Sequence, residues 1–335
     1  MKILVVGGAG YIGSHVTLEA INHGYEVTVF DDLSSGFKDN INASAAFFQG
    51  STLSDTDLSR VMKNCHFDAV IHLAANKAAG ESMDNPSEYA KNNIIGGINL
   101  IRACEEYGIN KFIFSSSAAV YGSPKYNPID ELHPLAPSNF YGYTKLAIEN
   151  NLQWFSRLKG LRYAALRYFN AAGYDINQRI IGKEINPQNL IPIVMEVALG
   201  TRKKLSVFGN DYSTKDGTGI RDYIHVSDLA TAHVKALSVI IEKKKNLIIN
   251  LSTGRGYSVI DLPLTSNDLG DMSPDLVRHF LETFSREGAF NLHLRVISGM
   301  NNHHMAEAAF KSLARSLKIA LAFDPRQVGR VSSTK

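Results

Sequence analysis

Cysteine is nearly absent from this chain. Cys65 and Cys104 are the only two in 335 residues, too few for a disulfide framework and in keeping with a reducing cytoplasm. Long apolar runs are missing too. The N-terminal run stops at Gly7, so it makes neither a signal peptide nor a membrane span. Neither sign of charge prevails, with 35 Lys and Arg against 32 Asp and Glu. No basic stripe marks a nucleic-acid surface, and Lys243-Lys244-Lys245 reads as a solvated helix end favoured by the helix dipole. Low-complexity stretches and tandem repeats do not occur. What remains is a chain long enough to bury a sizeable core and to hold two domains.

What is present begins at once. Lys2-Ile3-Leu4-Val5-Val6 is a short, β-rich apolar run suited to a buried parallel strand. Gly7-Gly8-Ala9-Gly10-Tyr11-Ile12-Gly13 follows, and Ser14 to His23 predicts a helix closed by Gly24. A strand, a glycine turn and a helix in that order let backbone N–H groups approach a pyrophosphate. Gly7, Gly10 and Gly13 are spaced one residue wider than the G-x-G-x-x-G fingerprint. A second strand, Glu26 to Phe30, ends at Asp31. An acid at that point accepts ribose hydroxyls and favours NAD over NADP, whose extra phosphate it repels.

Strands and helices continue to alternate. Asp68 to Ala74, Lys111 to Phe114 and Arg162 to Tyr168 predict strands; Pro86 to Tyr107 and Phe140 to Lys159 predict helices. The pattern is that of an α/β fold with a doubly wound, parallel Rossmann sheet. Ser115-Ser116-Ser117 falls at the carboxyl end of a strand, the edge where such sheets bind ligands.

Tyr141 and Lys145 are one helical turn apart and face the same way. A phenol with a pKa of about 10 is a poor base at neutral pH. A nearby ammonium favours the phenolate, and a serine hydroxyl such as that of Ser117 relays or orients the proton. By itself Tyr-x-x-x-Lys is commoner as a surface pair on an ordinary helix; the nicotinamide-type turn upstream gives it meaning.

These motifs resemble the extended short-chain dehydrogenase/reductase family, and within it the UDP-sugar 4-epimerases. The similarity runs from residue 1 to about 259. Gly7 to His15, His72-Leu73-Ala74-Ala75-Asn76-Lys77, Ser115 to Gly122, Leu166-Arg167-Tyr168-Phe169-Asn170 and Asn189-Leu190-Ile191-Pro192 carry it. Its most specific part is the stretch from Phe208 to Val226, with Phe208-Gly209-Asn210-Asp211-Tyr212 and Arg221-Asp222-Tyr223-Ile224-His225-Val226.

The resemblance implies that NAD is the cofactor and a UDP-sugar the substrate. It implies that Tyr141, as phenolate, takes the proton of the sugar's 4-hydroxyl while C4 gives up hydride. The 4-keto sugar then turns over and regains hydride on its other face. Lys145 holds the tyrosine ionised and Ser117 orients or relays the proton. Gly7, Gly10, Tyr11, Ile12, Gly13, Asp31, Leu73, Lys77, Asn92 and Phe169 match cofactor contacts. Asn170, Asn189, Leu190, Ser206, Val207, Phe208 and Arg221 match contacts to the nucleotide sugar; the guanidinium fork of Arg221 suits a pyrophosphate. Gly50-Ser51-Thr52 departs from the family, which has an aspartate at the position of Ser51 to hold the adenine amino group. Ala118-Ala119 stands where related dehydratases and decarboxylases carry acids. Alanines cannot supply the acid and base that loss of water requires.

Past about residue 259 the epimerase pattern stops; its arginine-rich loop and pocket tyrosine have no counterpart here. From about residue 268 the sequence instead resembles the C-terminal portion of the imidazoleglycerol-phosphate dehydratase family. Gly270-Asp271, Leu276-Val277-Arg278-His279-Phe280, Leu292-His293-Leu294-Arg295, Asn302-His303-His304, Glu307-Ala308-Ala309-Phe310-Lys311 and Asp324-Pro325-Arg326 carry that likeness, with the terminal Ser333-Thr334-Lys335. Met300 to Ala320 predicts a helix on which His303, His304 and Glu307 share a face. Imidazole and carboxylate suit a divalent ion such as Mn²⁺, although His-His-x-x-Glu alone is more often a solvated helix start. The resemblance places His279, His303, His304 and Glu307 on metal ligands, Lys311 on a substrate contact, and Ser333 and Lys335 on phosphate contacts. The family's second half-site is missing.

The expected organisation is therefore a hybrid. Residues 1–262 form an NAD-binding epimerase domain with an incomplete substrate region, and residues 263–335 form an α/β fragment of different origin. A recombined gene, a deliberate chimera and an assembly error all give this sequence. Phe280, Leu281, Phe284, Leu313, Leu317 and Ile319 present enough apolar surface to call for a partner, which points to a homo-oligomer. Three readings stay open: an epimerase weakened by its tail, a non-catalytic nucleotide-binding protein, and a metal-binding oligomerisation module.

Overall fold

The computed structural model describes residues 1–175, 177–180, 182, 184, 187–198, 200–204, 206, 211–212, 221–252, 258–264, 277–278, 280–282, 285 and 292–320. The chain divides into two compact units. The first takes Met1–Asn186 and Ile224–Ser252; the second takes its described residues from Pro187–Tyr223 and Thr253–Ser332.

In the first unit the chain runs β1 (Lys2–Val6), α1 (Tyr11–Asn22), β2 (Glu26–Asp31), β3 (Ala46–Gln49), α2 (Asp55–Asn64) and β4 (Ala69–His72). Then come α3 (Ala79–Asp84), α4 (Pro86–Tyr89), a π-helical stretch (Ala90–Ile95), α5 (Gly96–Glu106), β5 (Lys111–Ser115) and α6 (Phe140–Lys159). β6 (Arg162–Tyr168), β7 (Asn170–Ala172) and, later in sequence, the helix Val226–Glu242 and the strand Leu247–Leu251 complete it. Seven strands form one sheet in the order β3-β2-β1-β4-β5-β6 and then Leu247–Leu251. Every neighbouring pair is parallel.

Alternation within the strands explains why the sheet is covered on both faces. Leu4, Val6, Val70, Phe112 and Phe114 point into one core with Leu100, Ile101, Ile148 and Leu152. Ile3, Val5, Ala69, Ile71 and Ile113 point into the other with Val16, Ala20, Val234 and Leu237. A strand buried on both faces reads as a continuous apolar run, as β1 and β4 do. The strand order reverses between β1 and β4, and that reversal opens a crevice at the carboxyl ends.

Most expected elements appear, with three shifts. α1 starts at Tyr11 rather than Ser14, because Gly10 is its N-cap and Ser14 N already donates to Gly10 O at 2.9 Å. The single helix expected from Pro86 to Tyr107 is broken by the π turn at Ala90–Ile95. The strand expected to reach Ala74 ends at His72. α6 has the expected bounds because both ends are capped. The Asn139 side chain accepts from Gly142 N, and Gly160 closes the helix at φ 70.

The second unit contains α7 (Leu190–Ala198), a parallel pair of strands, Ser258–Asp261 and Leu292–Arg295, and the C-terminal helix Asn302–Ala320. Leu262, Val277, Leu281, Leu292 and Ala309 make its core, with Phe310 and Leu313 packed against them. This corrects the expectation of an unpartnered face at two positions: Leu281 is 0% exposed and Leu313 packs internally. Phe280 remains half exposed, its ring 5.5 Å from that of Phe310. Phe284 lies outside the described residues.

Candidate active site

The glycine turn is built so that nothing larger fits. Gly7 sits at φ +86, and a Cβ there would lie 2.5 Å from Ala74 N. One on Gly13 would lie 2.0 Å from Gly7 O. The backbone of β1, α1 and the segment after β4 thus meet at contact distance, and the first turn of α1 faces the crevice. Asp31 ends β2 beside it. Its carboxylate accepts from Ala9 N at 3.0 Å and Leu33 N at 2.9 Å. Burial pushes its pKa up, and those two hydrogen bonds pull against the shift.

An open cleft lies over this turn. Gly7, Gly10, Tyr11, Ile12, Gly13, Asp31, Leu73, Lys77, Asn92, Tyr141 and Lys145 all line it. Gly50, Ser51 and Thr52 line it as well. The Ser51 hydroxyl accepts from Leu53 N at 3.3 Å. Phe169 is half-buried and does not line the cleft, whereas its neighbour Tyr168 does. Asn92 is carried by the π turn, a distortion often found at functional positions.

Tyr141, 4% exposed, stands in the first turn of α6, with Lys145 one turn on and also 4% exposed. Ser117 does not line the cleft. It is 5% exposed, and its hydroxyl hydrogen-bonds the phenol of Tyr141. Burial pushes the Tyr141 phenol up to about 12, with the Ser117 hydrogen bond opposing the shift. The Lys145 ammonium donates to Ser115 O at 2.9 Å and lies 5.7 Å from the Tyr141 ring centre. In the protein alone, desolvation of the phenol governs Tyr141, and Lys145 is tied to the strand carbonyl. His72, at the end of β4, is pushed down to about 3 by burial and then by the Lys145 charge.

Two participants escaped sequence reasoning. Glu184 lines the cleft and forms an ion pair with Lys77, 107 residues away. Asn93 pins the cleft segment to α6: its side chain accepts from Asn76 N at 2.8 Å and donates to Thr144 Oγ1 at 3.0 Å. Nothing in local spacing announces either. Polar partners so far apart in sequence are visible only once the sheet is folded.

The expected substrate residues divide between the two units. Asn170 belongs to β7 in the first unit. Asn189, Leu190, Ser206 and Arg221 belong to the second unit, where Asn189 precedes α7 and accepts from Ile193 N at 3.2 Å. Val207 and Phe208 lie outside the described residues, as do His279, Ser333 and Lys335. His303 and His304 are exposed on the first turn of the C-terminal helix, ring centres 6.1 Å apart. Glu307 pairs with Lys311 at 2.7 Å, which pulls its carboxyl below the usual range. Among the described residues, no group of three or more His, Cys, Asp or Glu side chains is placed to hold a metal ion.

Comparison with known proteins gives two family matches. The profile described as Imidazoleglycerol-phosphate dehydratase matches residues 195–317. It begins earlier and ends sooner than the resemblance expected from residue 268 to the end. Among relatives, the UDP-glucose 4-epimerase of Halalkalibacterium halodurans is 46% identical over 260 residues, covering 77% of each chain. The structure of UDP-glucose 4-epimerase from Brucella ovis in complex with NAD superposes with a TM-score of 0.73 at 44% identity, covering 76% of this chain and 78% of that one. The enzyme from Bifidobacterium longum in complex with NAD+ and UDP gives 0.73 at 31%, covering 94% and 98%. The profile described as the NAD dependent epimerase/dehydratase family matches residues 3–252, which spans the whole seven-stranded sheet and the cleft above it, and the chain belongs to that family.

Proposed function

We propose that this protein is a UDP-glucose 4-epimerase that interconverts UDP-galactose and UDP-glucose through a 4-keto intermediate. The observation that carries the reading is the meeting of Tyr141 and Lys145 at a cleft floored by the Gly7–Gly13 turn, with Ser117 acting on the phenol from behind. The relative from Halalkalibacterium halodurans bears that name, and the Bifidobacterium longum structure holds NAD+ and UDP.

The residues present fit NAD. The tight turn at Gly7 and Gly13 leaves its N–H groups free of side-chain bulk, and Asp31 has lone pairs left for ribose hydroxyls. Tyr11, Ile12, Leu73, Lys77, Asn92 and Phe169 complete the proposed cofactor contacts. When bound, NAD supplies the hydride acceptor together with a positive charge. Tyr141, already ionised, takes the proton of the 4-hydroxyl and becomes the phenol. Before that transfer Ser117 donates to the phenolate oxygen, and the Lys145 ammonium favours the ionised form while bracing the strand end at Ser115 O. A phenol held at about 12 is ionised only to about 1 part in 10⁵ at pH 7. Nearby positive charge is therefore required before it can act as a base. Asn170, Asn189, Leu190, Ser206, Val207, Phe208 and Arg221 are the proposed contacts to the nucleotide sugar. With alanines at 118 and 119, dehydration lacks its acid and base.

A second reading draws on the match at residues 195–317. The protein is a hybrid in which residues 1–262 descend from an epimerase and residues 263–335 from a dehydratase, so the sugar pocket is weakened. In its extreme form the protein binds NAD or a nucleotide without turnover. Manganese at His279, His303, His304 and Glu307 draws only on that match, and the Glu307–Lys311 pair speaks against it. A homo-oligomer is proposed from the half-exposed Phe280 and the exposed Ile297. A cytoplasmic location agrees with two free cysteines.

The test is to purify the protein, measure bound nicotinamide by absorbance and calorimetry, and follow conversion of UDP-galactose to UDP-glucose. NAD with turnover supports the epimerase, and NAD without turnover supports the non-catalytic hybrid. Failure to bind NAD overturns both.

A further inference from the structure

Catalytic helix α6 carries a third residue on the stripe of Tyr141 and Lys145. Glu149 follows Lys145 by one turn and is 0% exposed. Its Oε1 accepts from Ser116 Oγ at 2.5 Å and from Arg167 Nε at 2.9 Å; its Oε2 accepts from Arg167 Nη2 at 2.5 Å. Arg167, on β6 and 2% exposed, also donates from Nη1 to the Tyr121 hydroxyl at 2.9 Å. Tyr121 in turn donates to Asn250 Oδ1 at 2.6 Å. None of these five residues lines the cleft itself.

The ties converge on one short segment. Residues 115–121 leave β5 and carry Ser117 to the phenol. Lys145 holds the Ser115 carbonyl, Glu149 holds the Ser116 hydroxyl and Arg167 holds the Tyr121 hydroxyl. Ser117 is thus suspended between fixed points, two of them belonging to the Glu149–Arg167 pair. Stability alone gives little reason for such a pair, because an apolar replacement of similar volume is often neutral or better. Geometry gives a stronger one, since misplacement of a catalytic group by about 1 Å costs roughly a hundredfold in rate.

We propose that Glu149 and Arg167 are positioning residues that act through Ser116 and Tyr121 to hold Ser117 against Tyr141. The kinetic part of this inference rests on the epimerase reading, whereas the structural part does not. Ser116→Ala cuts one tie and leaves the ion pair intact. Glu149→Leu with Arg167→Met removes the pair without stranding a charge. Both are compared with the unchanged full-length protein, using ¹³Cζ-labelled tyrosine at pH 7, the Tyr141 resonance being assigned by its loss in Tyr141→Phe.

The phenol carbon reports the hydrogen bond from Ser117 whether or not the protein turns over sugar. The resonance is expected to move in Ser116→Ala and in the double variant. Adding Ser116→Ala to the double variant should move it little further, because the two act along one path. Where UDP-galactose is converted, kcat should fall about tenfold with KM unchanged, the mark of lost transition-state geometry. A Tyr141 resonance in Ser116→Ala identical to that of the unchanged protein overturns the proposal. So does a moved resonance with unaltered kcat in an active protein. Absence of turnover in the unchanged protein counts against the epimerase reading and leaves the resonance to decide this one.

Discussion

The sheet unit and the C-terminal segment both display polar residues at helical spacing, yet among the described residues only those of the sheet unit converge on a cleft. Tyr141 and Lys145 share a stripe of α6, and His303, His304 and Glu307 share the first turns of the C-terminal helix. In the first unit, β1, β2 and α6 bring the turn, Asp31, Tyr141 and Lys145 to one crevice, with Ser117 behind the phenol. In the second, the imidazoles are exposed and the carboxylate pairs with Lys311 on its own helix. Spacing puts groups on one face. Convergence of several elements, with burial, changes their chemistry.

Tyr141→Phe tests that contrast most severely. Removing the phenol should lower UDP-galactose turnover by about 10²–10⁴ while leaving NAD binding intact. Turnover equal to that of the unchanged protein would remove Tyr141 from the mechanism and erase the advantage of the first unit.

Acid should act through the first unit next. Burial holds His233 down at about 4, where its Nε2 accepts from Ser115 at 2.6 Å, and His72 at about 3. Both lie below the ordinary 6.5, so the unfolded chain takes up the protons first. Stability is then complete above pH 6.5 and falls as pH drops toward 4 and 3. Each histidine contributes up to about tenfold in the unfolding equilibrium per pH unit. Thermal melts between pH 7.5 and 4.5 should show the decline, and a shallower slope in His233→Gln. An unchanged slope in that variant would separate the buried histidines from acid sensitivity.

Replacing residues 263–335 with an epimerase-type C-terminus sharpens the comparison from the other side. If a lost charge-assisted contact to the diphosphate weakens the pocket, KM for UDP-galactose should improve by about tenfold to a hundredfold. Equal kcat/KM before and after replacement would show that the tail does not limit the site.

The smallest effect is expected from His303→Ala, His304→Ala and Glu307→Ala. NAD binding and turnover should be unchanged, and added Mn²⁺ should leave the melting temperature where it was. Stabilisation by Mn²⁺ that vanishes in these variants would establish a metal site after all and bring the two regions level.

Local chemistry alone determined a good deal here. Short apolar runs alternating with helices, together with the glycine turn, made the parallel sheet legible, because periodicity and backbone sterics act over a few residues. Helix geometry put Tyr141 and Lys145 on one stripe for the same reason. Only the tertiary structure decided that Lys145 grips Ser115 O, that Glu184 reaches Lys77, and that Glu149 and Arg167 fasten Ser116 and Tyr121. It also decided that burial pushes the Tyr141 phenol up to about 12. Desolvation and long-range pairing depend on which distant segments crowd around a group, and residue spacing carries no record of that.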